Sequence, residues 1–202
     1  MLGDPNCSVD ISGVASTVSD GTVASHENSE SLMDGISMIS MKLDSDTKKS
    51  VEALTSEGMS DEEKNVLVSE LSNFSGSEIF EFSTCNRVLY VGFGVNPDEL
   101  ILAVEAVIGV SEAEFQKSSG MAVWRDLVRI CSGLDSFILG ELQVMGQFRD
   151  AVAWHKENGH VSAVNSSLFD HVISANRIVR KEMSFDKTTE SMLNLATSAM
   201  KE

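Results

Sequence analysis

Residues 78–95, EIFEFSTCNRVLYVGFGV, decide the fold. Two runs rich in aromatic and β-branched residues, 78–83 and 88–95, predict strands. Between them stands Ser83-Thr84-Cys85-Asn86-Arg87, at a loop or strand end. Upstream, 36–43 (ISMISMKL) predicts a third strand, with so little alternation that both of its faces are buried. Helices are predicted around these runs. Asp44-Ser45-Asp46 caps one over about 47–57, which Gly58 stops. Ser60 before Asp61-Glu62-Glu63 is a capping-box pattern that opens another over about 61–73. Pro97-Asp98 opens a third over about 98–108, closed by Gly109, and a short helix is expected around 111–117. The order strand–helices–strand–strand–helix holds no repeated βαβ unit. The fold class is therefore α+β: a small mixed or antiparallel sheet with packed helices.

From Ala122 onward the pattern is almost wholly helical. Helices are predicted over about 122–132, 135–157 and 162–182, the last with Val161, Val164, Leu168, Val172, Ala175 and Val179 at spacings of three and four. A further helix begins near Thr188 and is still running at Glu202. Such an ending is expected of a chain cut between domains. Residues 1–34 hold Asp4, Asp10, Asp20, Glu27, Glu30 and Asp34 with no Lys or Arg, and are rich in Ser and Gly. They predict a disordered acidic tail. The expected organisation is thus a tail over 1–34, a folded unit over 35–185, and the start of a linking helix over 186–202.

Composition narrows the function. Of 202 residues, 42% are hydrophobic and 23% charged, ordinary for a packed globular protein. No run approaches the ~20 apolar residues of a membrane-spanning helix. The tail lacks the basic start and apolar run of a secretory signal, so a cytoplasmic location is expected. Cys7, Cys85 and Cys131 are odd in number and widely spaced, which fits neither a disulfide framework nor a metal clip. No metal is expected. A formal charge of −16 excludes an extended basic surface. Contact with a nucleic acid would rest on a few local cations.

Two constellations carry candidate chemistry. In the first, Cys85 is either a small apolar filler or a nucleophile whose thiolate Arg87 or turn amides stabilise. Cys7 and Cys131 carry only the filler reading. The second joins Gly133-Leu134-Asp135-Ser136 to Gly140-Glu141-Leu142-Gln143 and Gly146-Gln147. On one helix, Ser136, Gly140, Gln143 and Gln147 would share a face within roughly 60°. That stripe is either a solvated face or a polar pocket wall with a glycine in its middle. Ile138, Leu142, Met145, Phe148 and Val152 form the opposite, core-facing stripe. Glu141 falls in the apolar sector, where a carboxylate demands a partner.

Ser-Thr-Cys-Asn-Arg between strands, then Ser-Gly-Leu-Asp-Ser, then Leu-Gly-Glu-x-Gln-x-x-Gly-Gln, resembles the N-terminal catalytic domain of glutamyl-tRNA reductase. LFDHVISANRIVRKE (168–182) is similar to that family's helix leading toward its cofactor domain. The resemblance covers about residues 36–202. It implies conversion of glutamyl-tRNA to glutamate-1-semialdehyde through a cysteine thioester, in the tetrapyrrole (porphyrin and haem) pathway, with NADPH as reductant. By the resemblance, Cys85 is the nucleophile and Arg87 holds the substrate carboxylate. Thr84, Asn86, Ser136, Glu141, Leu142, Gln143 and Gln147 match positions that line the glutamate pocket.

The departures are specific. The family's histidine position is Asp126, in WRDLVRICSGLDS, which makes Asp126 the candidate acid–base residue in its place. The family's His-Lys is Met41-Lys42, its Glu after the motif arginine is Leu89, and its Pro in Gly-Glu-Pro-Gln is Leu142. No Gly-x-Gly-x-x-Gly occurs, so NADPH is expected to be bound by a domain not present here. The family's dimerising helices are likewise missing, which implies a monomer or a dimer unlike the family's. The alternative function is a non-catalytic module that binds aminoacyl-tRNA or glutamate, with a vestigial cysteine.

Overall fold

The computed structural model describes residues 33, 35–111, 113–136 and 143–183. All of the expected tail but Met33, together with Cys7, the helix from Thr188, Glu141 and Leu142, lies outside the described residues. Within them the chain runs β1 (Ile36–Lys42), α1 (Lys48–Leu54), α2 (Asp61–Ser75), β2 (Glu78–Thr84), β3 (Arg87–Phe93), α3 (Pro97–Ile108), β4 (Gln116–Ser119), α4 (Met121–Cys131), α5 (Gln143–Glu157) and α6 (Ala163–Glu182). The fold is α+β. Its one sheet has the order β2-β3-β1-β4, and every pairing is antiparallel.

Local chemistry accounts for the helix starts. Ser60 Oγ accepts the Glu63 N–H while Glu63 Oε2 accepts the Ser60 N–H, the reciprocal cap that the sequence predicts. At α3, Asn96 Oδ1 accepts the N–H groups of Asp98 and Glu99, each at 3.0 Å, and Pro97 fills the first turn.

Apolar residues on both faces of the central strands explain why helices cover both sides. Ile39, Ile79, Val88 and Tyr90 pack with Leu54 of α1, Leu71 of α2 and Leu100 of α3. On the other face, Phe80, Phe82, Leu89 and Val91 pack with α4, α5 and α6. Four aromatic residues interlock there: Phe148 meets Phe80, Phe82 and Phe169 edge-on at 5.5–5.8 Å between ring centres.

Two expectations are corrected. The short helix expected around 111–117 is absent: Gln116–Ser119 is the edge strand β4, hydrogen-bonded to β1. Its sequence QKSS carries no apolar signal because only its backbone is used by the sheet. Nor does a single helix start at 135. Residues 132–135 form a turn after α4, with Gly133 at φ 76°, and the described helix begins at Gln143. A left-handed residue interrupts the helical hydrogen-bond ladder, and glycine takes that conformation without strain.

At the other edge of the sheet, β2 would expose unpaired backbone. His155 of α5, fully buried, covers part of it by accepting the Glu81 N–H at Nε2 (3.1 Å). Its Nδ1–H donates to the Ala151 carbonyl at 2.8 Å, so the ring is the neutral Nδ1–H tautomer. Burial, reinforced by the Lys64 charge, pushes this imidazole down to about 3. The unfolded chain therefore binds the extra proton between about pH 6.5 and 3, and stability falls as pH drops through that window. Between pH 7 and 5 the loss through His155 is expected to be about 2 kcal/mol. Urea unfolding at both pH values should show it. His155→Gln, which keeps an acceptor, should show a flatter pH dependence; equal slopes would contradict the assignment.

Candidate functional site

The sheet register builds the site. Thr84, Arg87 and Lys42 are paired across β2, β3 and β1, so three neighbouring strands end in one row of polar side chains. Cys85 and Asn86 form the two-residue turn between β2 and β3, and Cys85 is exposed at its tip. The turn is fastened from within and from outside. Thr84 Oγ1 accepts the Asn86 N–H at 3.3 Å, and the Asn86 carbonyl accepts the Leu43 N–H at 2.8 Å. A reactive group on a turn held this way is exposed without being loose.

Lys42 and Arg87 are like charges directly opposite one another, an arrangement that alone destabilises a sheet. Asp135, in the turn after α4, answers both. Its carboxylate accepts a hydrogen bond from Arg87 Nη2 and lies 3.6 Å from Lys42 Nζ, while its backbone carbonyl accepts from Lys42 Nζ at 2.9 Å. Arg87 is 7% exposed, so its charge needs this partner. In the sequence Asp135 stands within a motif and Lys42 at a family match, and neither has an evident role there. The signal was their charge; the pairing across 93 residues was not readable.

A pocket opens beside this row. Thr84, Cys85, Asn86 and Arg87 form one wall. Ser136 and the amides of Gln143 and Gln147 form the other, with Phe82, Ile130 and Val144 as apolar lining. Gln143 and Gln147, four apart on α5, share a face as the sequence predicts. Ser136 joins them from the turn and not from the helix. On the core-facing stripe, Met145, Phe148 and Val152 are buried as expected; Ile138 is outside the described residues. Seven of the nine expected substrate-binding residues are thus brought together, and Glu141 and Leu142 lie outside the described residues.

Asp126 is placed differently from Cys85. It lines an adjoining polar pocket with Ser40, Ser118 and Arg129, and Ser118 Oγ donates to its carboxylate. Arg87, Asp135 and Ile130 line both pockets and form the partition between them. Cys131 is fully buried on α4, and burial pushes its thiol well above the usual range although Arg87 pulls the other way. It is chemically inert by comparison with Cys85.

Other site types find little here. Among the described residues no group of His, Cys, Asp and Glu is placed to hold a metal, and no helix is long and apolar enough to cross a membrane. Gly92 near the end of β3 and Gly94 just after it stand where a dinucleotide-binding turn would place glycines. Asn96 already occupies the first amides of α3, and Asp98 and Glu99 stand in its first turn. A pyrophosphate needs those amides free and is repelled by those acids. These residues do not fit a nicotinamide dinucleotide.

Comparison with known proteins supplies the frame. The family model described as "Glutamyl-tRNAGlu reductase, N-terminal domain" matches residues 44–183. The chain is similar to the glutamyl-tRNA reductase of Shewanella amazonensis, 32% identical over 131 residues, covering 63% of this chain and 32% of that protein. The enzyme of the same name from Shewanella sediminis is 35% identical over 124 residues, 59% of this chain and 30% of that protein. The chain therefore spans about a third of the length of these curated relatives. Among solved structures, glutamyl-tRNA reductase from Methanopyrus kandleri matches with a TM-score of 0.55 at 23% identity, over 74% of this chain and 35% of that one. That likeness is one of fold.

Proposed function

The chain belongs to the family of glutamyl-tRNA reductase N-terminal domains, and from that premise we propose that it binds the glutamyl end of glutamyl-tRNA and accepts the glutamyl group on Cys85. The observation that carries this reading is the row Thr84–Arg87–Lys42 closed by the Cys85 turn. It sets an exposed thiol beside two cations in a chain of formal charge −16.

The chemistry follows from those groups. The Cys85 thiolate attacks the ester carbonyl, a carbon–sulfur bond forms, and the carbon–oxygen bond to the tRNA ribose breaks. The ribose hydroxyl leaves with a proton, and a thioester remains on the enzyme. Arg87 offers a planar fork to the side-chain carboxylate of the glutamyl group, and the amides of Gln143 and Gln147 supply neutral hydrogen bonds from the facing helix. The acidic chain gives the tRNA backbone little electrostatic purchase, so recognition concentrates on the acylated end.

Reduction to glutamate-1-semialdehyde, for tetrapyrrole synthesis, needs a hydride from NADPH. The glycines at the end of β3 and the acidic start of α3 do not fit that cofactor. A thioester on Cys85 then passes to water. The purified 202-residue chain is expected to release free glutamate slowly from glutamyl-tRNA, and to make no semialdehyde with or without NADPH. Following both products by chromatography tests this. NADPH-dependent semialdehyde from this chain would overturn the assignment of its limits.

Arg87→Lys keeps the charge and loses the fork. Binding of a glutamate-bearing substrate analogue should weaken by about 1–3 kcal/mol, and Gln143→Ala should weaken it less, as a neutral contact. Titration calorimetry measures both. Parent-like binding by both variants would move the glutamate site elsewhere.

A second reading has one observation in its favour. Asp126 stands at the family's histidine position, is hydrogen-bonded by Ser118, and opens into the neighbouring pocket. A domain without an acid–base group at the thiol would bind the glutamyl end and not turn it over. Glutamyl-tRNA left intact while binding persists would establish that non-catalytic role.

A further inference from the structure

A glutamyl ester carries two charges close to its reacting carbonyl: a side-chain carboxylate and an α-ammonium. In the function proposed for this pocket, on which the role of Asp135 also rests, Arg87 takes the first. The second needs an anion, because an ammonium stripped of water is costly without one.

Asp135 is the one acidic residue among the described residues that line the Cys85 pocket. Its side chain is 38% exposed, against 8% for that of Arg87. It is also fixed in place from two sides, by Arg87 Nη2 at the carboxylate and by Lys42 Nζ at the backbone carbonyl. Arg87 is engaged only at Nη2: among the described residues no acceptor is bonded to its Nε or Nη1. The guanidinium thus keeps an edge for a ligand carboxylate while Asp135 holds the other edge. Cation, anion and cation stand in sequence along the pocket floor, and a ligand bearing an ammonium and a carboxylate meets them with opposite charges.

We infer that Asp135 is a specificity-determining residue, which receives the ammonium of an α-aminoacyl ligand while orienting Arg87 for that ligand's carboxylate. Glu141, the carboxylate that the sequence pattern leaves in need of a partner, lies outside the described residues.

The test compares two ligands on the purified 202-residue chain by titration calorimetry. Isoglutamine, the α-amide of glutamate, has both charges and an amide in place of the ester. Glutaramic acid has the same skeleton without the amino group. The parent should prefer isoglutamine by about tenfold or more, the scale of a charge-assisted hydrogen bond. In Asp135→Asn that preference should vanish, whatever happens to the affinity for glutaramic acid. Lys42→Met/Asp135→Asn removes one cation with the anion, so it restores the local charge balance and relieves the repulsion on Arg87. It should lack the preference too. A preference that survives in both variants, that is missing in the parent, or that is lost in Glu141→Gln instead, overturns the inference and leaves the glutamate pocket standing. Failure of the parent to bind either ligand overturns the glutamate pocket itself, and Asp135's role with it.

Discussion

Replacement of Cys85 by alanine is expected to lower glutamyl transfer from glutamyl-tRNA by about three orders of magnitude or more, the scale on which enzymes lose activity with their nucleophile. The parent, quenched early, should carry a glutamyl adduct on Cys85 that hydroxylamine removes, visible by peptide mass spectrometry. The competing thiol of α4 offers no substitute. Cys131 is fully buried and its thiol is pushed up by that burial, so the reactive anion does not form there at neutral pH. Folding should be little affected, because Cys85 is exposed at the tip of the turn, and the Thr84 side chain and Asn86 backbone keep their hydrogen bonds in the variant. An adduct of equal yield on another residue of the alanine variant would overturn the assignment.

The largest loss of stability is expected from Lys64→Met. Glu81, in the middle of β2, has no solvent exposure. Its carboxylate takes hydrogen bonds from Ser56 Oγ at 2.8 Å and from Ser83 Oγ, and its charge is met by Lys64 Nζ at 3.1 Å. Lys64 in turn lies over the Trp154 ring, 4.8 Å from its centre. Removing the lysine leaves a buried carboxylate with hydroxyls alone. The cost is about 3–5 kcal/mol, or a fall of roughly 10 °C in melting temperature. Lys64→Met/Glu81→Gln removes both charges and should recover most of that loss. Calorimetric melting of the three proteins decides it. A single variant within about 1 kcal/mol of the parent, on the order of one hydrogen bond, would mean that the hydroxyls suffice.

Much of this architecture was readable from local chemistry. The strand runs flanking Cys85, the capping box at Ser60, the opening of α3 at Pro97-Asp98 and the buried character of β1 all follow from residue types a few positions apart. The same is true of Gln143 and Gln147, which share a face because they are four residues apart on a helix. What could not be read depends on partners distant in the chain. Lys42 meets Asp135, and Lys64 meets Glu81, only once the sheet and its covering helices have formed. β4 escaped because an edge strand needs no side-chain pattern, only a backbone to pair with. The helix expected over about 135–157 is described from Gln143, and Asp135 and Ser136 stand instead in the turn that Gly133 opens after α4, facing the sheet end.

The shared row of Thr84, Arg87 and Lys42 also limits how a gene for this domain can change length. Side chains on a strand alternate between faces, so one codon added or lost within β2 or β3 turns every later residue of that strand to the opposite face. A change in β2 would turn Thr84 toward α1–α3, away from Arg87 and Asp135, and one in β3 would take Leu89 and Val91 out of the aromatic layer beneath α5. Segments such as the one joining α3 to β4 face no such parity and can gain or lose codons freely. Within the hairpin, lineages are confined to substitutions, or to length changes that preserve the alternation and the rung on which the three residues meet.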